Sequence, residues 1–537
     1  MVKKLLTVLL LVVSLLCKAQ EKEGFALFTD RDLYTSGENL LIKVYAPVDE
    51  PSGIVNVDLF NSKGNLVSAI YLEMKNHEAN GYIHLADSLS SGSYLVRATT
   101  RTSLTQTVKE LIVSNRFTGM TESSVFLHLA GNGRQAITAF TSLHFEGASS
   151  RYKNREKGHA TVHLAPEFLS QIDGNLLVGI TPVTPGYHAM TFVAGSKPKF
   201  FRETGNEGII ISGTITDAET EKPFENALVY LTVPDSLPLF KYYTTGANGR
   251  FYFQLTNCYG KIPVVLQCSD KAKKRMLKIS LTPADNILGS LPPHESQAFS
   301  PEFQKIVAKK VESLNFSKIF GLHELANQPV SPKKRATNPF YGIPNRVVRP
   351  KQFIDLPNFA EISRELLPQV KFRTYNRNPT FQLFNFQRNN YFIEQPLVLL
   401  NGIPVTDLNV IKEMGTTQID RIDICQSERF FGNLGFSGVV AIYSTNGDYT
   451  RLNESDELIK LSLEAIQPEA ELTAPPEHAS KAPDLRQVLL WKPSLKPGQT
   501  LELNFQTSDI RGNYRIYLSG KSVNGSVFYT EQFFEVK

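Results

Sequence analysis

Ten histidines and four cysteines occur in 537 residues, and few of them stand where an ion or a nucleophile would need them. His159 and His163 lie four apart in a run that alternates like a strand, so they share a face about 13 Å apart, too far to hold one ion. No His-Glu-x-x-His, Cys-x-x-Cys or Gly-x-Ser-x-Gly occurs. Asp30 and Asp32 are two acids in a turn-like stretch; a calcium loop needs more, and turn capping explains them. Asp420 and Asp423 sit on an Ile-rich run, which leaves a solvated strand face or a ligand contact open. The stretch Gly432 to Gly438 lacks the Gly-Lys-Ser/Thr ending of a phosphate loop and reads as a tight turn between strands. Cys258 and Cys268 flank a predicted hairpin and either pair or stay free. With Cys425 they are too few for a disulfide framework. No catalytic, metal-ligating or cofactor-binding residue is expected, and neither is an enzyme.

The elements around these residues are mainly strands. Apolar residues make up 42% of the chain and charged residues 20%, a globular mix long enough for three to five domains. Thirty-four Phe and twenty Tyr against one Trp and six Met favour β-structure. Short alternating runs such as Leu40 to Tyr45, Val55 to Phe60 and Tyr94 to Ala98, separated by turn residues, imply a β-sandwich. Ser300-Pro301-Glu302 opens a helix with Phe303, Ile306, Val307, Val311 and Leu314 on one face. Phe359 to Leu367, between Pro357 and Pro368, predicts a second, short helix. Asn248-Gly249 and Asn401-Gly402 predict tight turns, and Asp407 caps a helix carrying Leu408, Val410, Ile411 and Met414.

The N-terminus reads as an address. Lys3 and Lys4 precede an apolar run from Leu5 to Leu16, followed by Cys17-Lys18-Ala19-Gln20, the pattern of a secretory signal peptide. Cleavage after Ala19 is expected, with lipidation at Cys17 as the competing outcome. Removing residues 1–19 takes away three lysines and no acid, so the formal charge falls from +5 to about +2. A nearly neutral chain is not drawn to nucleic acid. Its one basic cluster, Lys333-Lys334-Arg335 with Arg346, Arg349 and Lys351, falls in a Pro-rich stretch and reads as a solvated linker. No later run of 18 apolar residues would span a membrane.

Three resemblances rest on ordered motifs. Thr29-Asp30-Arg31-Asp32-Leu33-Tyr34-Thr35-Ser36-Gly37-Glu38, the strand after it and the closing Gly92-Ser93-Tyr94 resemble a macroglobulin-type domain; residues 116–206 resemble a second one. No Cys-Gly-x-x-Gln thioester occurs, so covalent trapping by that route is not expected. Ile211-Ser212-Gly213-Thr214-Ile215-Thr216-Asp217-Ala218, Lys222-Pro223, Ala227 to Leu231 and Asn248-Gly249-Arg250-Phe251 resemble the regulatory module of carboxypeptidase D, which implies a seven-stranded sandwich without zinc. Leu397 to Val405, Ile419 to Ile424 and Phe431 to Tyr443 resemble the plug domain of TonB-dependent outer-membrane receptors. About 90 residues follow Asp448, too few for the barrel that accompanies such a plug.

The expected order is a signal peptide (1–19), macroglobulin-like sandwiches (20–115 and 116–206) and a carboxypeptidase-regulatory-like sandwich (207–282). A helical, Pro-rich connection (283–390), a plug-like domain (391–448), a linker (449–482) and a C-terminal sandwich (483–537) follow. The fold class is mainly β, tandem Ig- or macroglobulin-like sandwiches with a small α+β plug-like domain. The combination resembles exported envelope proteins of Bacteroidota. It implies a non-enzymatic binding or scaffold protein of the periplasm or outer membrane, acting through an envelope protein partner. Alternatives are an accessory to TonB-dependent import, with the transporter as partner, and a secreted surface protein.

Overall fold

The computed structural model describes residues 24–120, 127–129, 137–139, 143–184, 191–195, 208–235, 237–270, 274–282, 294–296, 301–320, 325–327, 338–375, 378–472 and 482–537. The expected signal peptide with Cys17, the helix cap Ser300 and the cluster Lys333-Lys334-Arg335 lie outside the described residues. The chain is mainly β and divides into two compact units, Met1–Gly208 with Ala284–Val330 and Ile466–Lys537, and Ile209–Pro283 with Ser331–Ala465.

The first unit holds two sandwiches. In one, the sheet Ala26–Thr29, Asn39–Tyr45 and Glu78–His84 faces a larger sheet containing Ile54–Asn61, Leu66–Glu73, Gly92–Thr99 and Thr105–Ser114. Leu40, Ile42 and Val44 meet Val57, Leu59, Tyr94 and Val96 in its core. The strand Thr191–Gly195 pairs antiparallel with Thr105–Ser114, so it belongs here and not to a sandwich of residues 116–206. The second sandwich corrects the expected boundaries more deeply. Ile172–Pro182 lies between Leu490–Leu495 and Gly512–Ser522, and Lys157–His163 pairs with Thr500–Gln506. Residues 143–182 and 482–537 therefore build one sandwich where two were expected. Neither segment holds enough strands to cover its own apolar face. The helix Pro301–Ile319 buries Phe303 and Val307 against Leu33 and Ile112, with Ile306 and Val311 partly covered.

In the second unit, Ile209–Asp217 alternates buried and partly exposed residues between Arg250–Leu255 and Leu277–Leu281. A four-stranded sheet, Leu239–Thr244, Leu228–Val233, Lys261–Ser269 and Leu458–Glu464, accompanies it. The strands number seven, as expected, but the seventh comes from the stretch read as a polar linker and pairs with Lys261–Gln267. Gly249 closes the predicted turn at φ +66°, where a Cβ would stand 2.4 Å from the Ile215 carbonyl oxygen.

The rest of this unit is an α+β module. Its five-stranded sheet runs Arg346–Val348, Ile419–Cys425, Val439–Ser444, Leu397–Leu400, Ile403–Pro404. Leu397–Leu400 is parallel to the central strand and Ile419–Cys425 antiparallel to it. Asn401 and Gly402, at φ 51° and 83°, make the predicted hairpin turn. The helix Phe359–Leu366, capped by Asn358 Oδ1 on the Glu361 amide at 3.0 Å, packs with the hairpin Val370–Tyr375 and Asn378–Asn385 onto one sheet face. The supposed connection 283–390 thus supplies an edge strand, a helix and a hairpin to the module expected to begin at 391. No described helix is long and apolar enough to cross a membrane.

Candidate functional site

The histidine pair behaves as its spacing demands. His159 and His163 both point outward from Lys157–His163, whose exposure alternates. His163 Nδ1 lies 3.3 Å from Thr500 Oγ1, and its Nε2 is 3.6 Å from Glu146. No group of three His, Cys, Asp or Glu able to hold a metal occurs among the described residues. Cys258, Cys268 and Cys425 are free thiols, and burial pushes the Cys268 thiol up to about 12, which keeps it protonated.

Asp30 and Asp32 are tied to cations and backbone. Asp30 is buried; its Oδ1 accepts from the Leu41 amide at 2.9 Å and from the Tyr34 hydroxyl at 2.7 Å, and its Oδ2 from Arg31 at 2.7 Å. Arg31, also buried, donates onward to Glu38 at 2.9 Å and to Gln487 at 2.8 Å. Asp32 pairs with Lys109 at 2.9 Å. The opening turn is a buried, mutually satisfied network that fixes the first sandwich.

The second acidic pair divides. Asp420 is exposed, 3.6 Å from Arg349. Asp423 is buried because its strand is covered on both faces, on one side by the main core and on the other by Phe340 and Tyr341, which pack onto Cys425 and Tyr443 of the sheet. A solvated face for Asp423 is therefore wrong. The Tyr341 hydroxyl donates to Asp423 Oδ2 at 2.8 Å and lies 2.9 Å from the Tyr443 hydroxyl. Arg421 reaches Asp423 Oδ1 at 3.0 Å and stacks 4.0 Å from the Tyr443 ring centroid. Burial raises the Asp423 carboxyl, against the Tyr341 hydrogen bond and the Arg421 charge, and raises both phenols. Chemically this cluster is a latch: it clamps the segment around Tyr341 onto the sheet.

The latch holds the segment that carries Ile343, one of four large apolar residues left exposed. Ile343, two residues past Tyr341, is 70% exposed; Phe386, Ile393 and Phe430 are 53%, 103% and 71% exposed. Hydrogen bonds stitch their loops together at one end of the sheet. Arg429 Nη2 donates to the Ile343 carbonyl at 2.9 Å, and the Gln426 amide donates to Asn345 Oδ1 at 2.8 Å. The Phe386 amide donates to the Gln426 carbonyl at 3.3 Å, and Arg388 pairs with Glu428 at 2.7 Å. The Ser437 hydroxyl donates to Glu394 at 3.4 Å, and the Leu397 amide to the Gly438 carbonyl at 3.0 Å.

Each exposed side chain has an anchored neighbour: Tyr341, Asn385, Phe392, and Phe431, which packs 5.3 Å from Phe340. Phe340 in turn stacks on Phe240 at 4.2 Å. Large apolar groups held out on rigid supports are an interaction surface in form. Sequence reasoning missed all four. A signal existed, since Gly342-Ile343-Pro344 and Phe386-Gln387-Arg388-Asn389 place apolar residues inside turn chemistry.

No protein-family model and no curated protein sequence matches the chain. Similar solved structures include trypsin-activated alpha-2-macroglobulin from Escherichia coli, at 10% identity over 95% of this chain and 41% of that one, with a TM-score of 0.23. The native conformation of E. coli alpha-2-macroglobulin gives 11% identity over 96% and 40%, with the same TM-score. A tetra-tandem repeat from the extending region of a large adhesion protein gives 10% identity over 96% and 99%, with a TM-score of 0.13. The chain spans about two fifths of the length of each of these two macroglobulins.

Proposed function

We propose that this chain is a non-enzymatic binding or scaffold protein of the bacterial outer membrane or periplasm, acting through protein–protein contacts. The observation that carries this reading is that Ile343, Phe386, Ile393 and Phe430 are all exposed on loops hydrogen-bonded at one end of the sheet. Exposed aromatic and aliphatic side chains on supported loops are what binding hot spots are made from. The resemblance of residues 391–448 to a receptor plug directs the search for a partner toward TonB-dependent transporters. Export follows from the N-terminal pattern, with Gln20 as the first residue of the mature chain.

The test compares the protein with a variant carrying Ile343→Ser, Phe386→Ser, Ile393→Ser and Phe430→Ser, both purified from envelope extracts. Removing one hot-spot aromatic costs about 2 kcal/mol, roughly thirty-fold in affinity, so the variant should lose a specific co-purifying envelope protein while staying folded. An identical set of companions would move binding elsewhere on the chain.

A further inference from the structure

Where the two sandwiches of the first unit meet, a buried lysine and carboxylate meet a half-buried carboxamide. Lys43 lies mid-strand in Asn39–Tyr45, on the sheet face that includes Tyr45. There Phe28 and Tyr45 of the first sandwich pack against Leu177, Tyr517 and Val527 of the second. Lys43 is fully buried and Glu78 nearly so. Lys43 Nζ contacts Glu78 Oε2, and Asn175 Nδ2 contacts Glu78 Oε1. The Asn175 amide also donates to Oε1 at 3.1 Å, and the Tyr45 hydroxyl donates to the Asn175 carbonyl at 3.1 Å. The Tyr45 ring centroid is 4.8 Å from Nζ. Amine and carboxamide therefore bind the two oxygens of a single carboxylate. Sharing one carboxylate brings Nζ beside the Asn175 carboxamide, and attack requires it within about 3–3.5 Å of Cγ.

We infer that Lys43 and Asn175 are the partners of an intramolecular isopeptide bond whose formation Glu78 assists, joining the first sandwich covalently to the second. The neutral amine attacks Asn175 Cγ and forms the new C–N bond. Glu78 takes the proton the amine sheds and delivers it to Nδ2 as the Cγ–Nδ2 bond breaks. Ammonia leaves, Glu78 ends as it began, and no oxidant or cofactor takes part. Burial favours the neutral form that attacks: desolvation lowers the Lys43 amine from its ordinary value, against the attraction of Glu78. The bond closes a loop of roughly 130 residues, a constraint that raises the free energy of the unfolded chain. It suits a scaffold that has to keep two domains in register.

Denaturing mass spectrometry and peptide mapping of the purified full chain decide the matter. The expected result is a mass about 17 Da (one ammonia) below that of the same chain carrying Lys43→Arg, after correcting for the substitution itself. Trypsin should also fail to cut after Lys43, and a branched peptide should join Lys43 to Asn175. Glu78→Gln should restore the lost mass and the cut. Should that variant fail to fold, the wild-type map alone still decides. Folded wild-type protein that retains the full mass and releases separate Lys43 and Asn175 peptides would overturn the inference, leaving a buried ion pair.

Discussion

Removing residues 482–537 should unfold residues 143–182 as well, although some three hundred residues of chain separate the two segments. The shared core contains nineteen buried side chains, of which Leu489, Leu501, Leu503, Phe505, Tyr514, Ile516, Leu518, Phe528, Phe534 and Val536 come from the C-terminal segment. At about 1.5–3 kcal/mol for each large apolar side chain buried, those ten contribute roughly 15–30 kcal/mol. A domain is stable by only about 5–15 kcal/mol, so what remains cannot hold together. Lys157–His163 would also lose its pairing with Thr500–Gln506, and Ile172–Pro182 would lose both neighbours. Limited proteolysis read by mass spectrometry provides the assay. The truncated chain should be cut rapidly at Arg151, Lys153 and Lys157, while the sandwich of Asn39–Tyr45 and Gly92–Thr99 survives. Protection of residues 143–182 in the truncated chain would refute the interleaved sandwich and restore two independent domains.

Asp423→Ala should cost about 3–5 kcal/mol, because it removes the carboxylate that pairs with Arg421 and accepts from the buried Tyr341 hydroxyl. Asp423→Asn keeps an acceptor for Tyr341 and removes the charge that burial opposes, so its urea midpoint should stay much nearer wild type. Gly249→Ala should destabilise the second unit by about 1–3 kcal/mol in a urea titration, since its φ is positive and a backbone oxygen blocks the Cβ. Gly246→Ala, in open space, serves as the neutral control. The Arg275 hydrogen bond, helped by the Thr220 amide, holds the Asp217 carboxyl at about 2. That contribution is present above the ordinary value of 3.8 and is lost as pH falls through about 2, so Arg275→Gln should flatten the decline of Tm over this acid range.

Local chemistry was legible in the sequence and distant pairing was not. Asn248-Gly249, Asn401-Gly402 and the helix after Pro357 were readable because a turn or a cap is decided within a few residues. The interleaving of residues 143–182 with 482–537 was invisible, since an alternating strand records which face is buried but not which strand lies beside it. Leu458–Glu464 passed for linker because, at the edge of its sheet, none of its residues is fully buried. Asp423 passed for a solvated residue because its partner Tyr341 is 82 positions away. The exposed apolar rim at one end of the sheet was missed for the opposite reason: Ile393 and Phe430 look like ordinary core residues until the fold leaves them outside. Deleting residues 396–448 would be a poor probe of that rim, because they share a core with Phe359, Ile362, Phe372 and Phe381.

Site-specific photo-crosslinking from position 430 in living cells tests the binding role most directly. A photoreactive side chain at Phe430 should capture one discrete envelope protein, while the same group at exposed Glu502, in the other compact unit, should not. Equal labelling from both positions, or none from Phe430, would contradict a binding role for this end of the sheet.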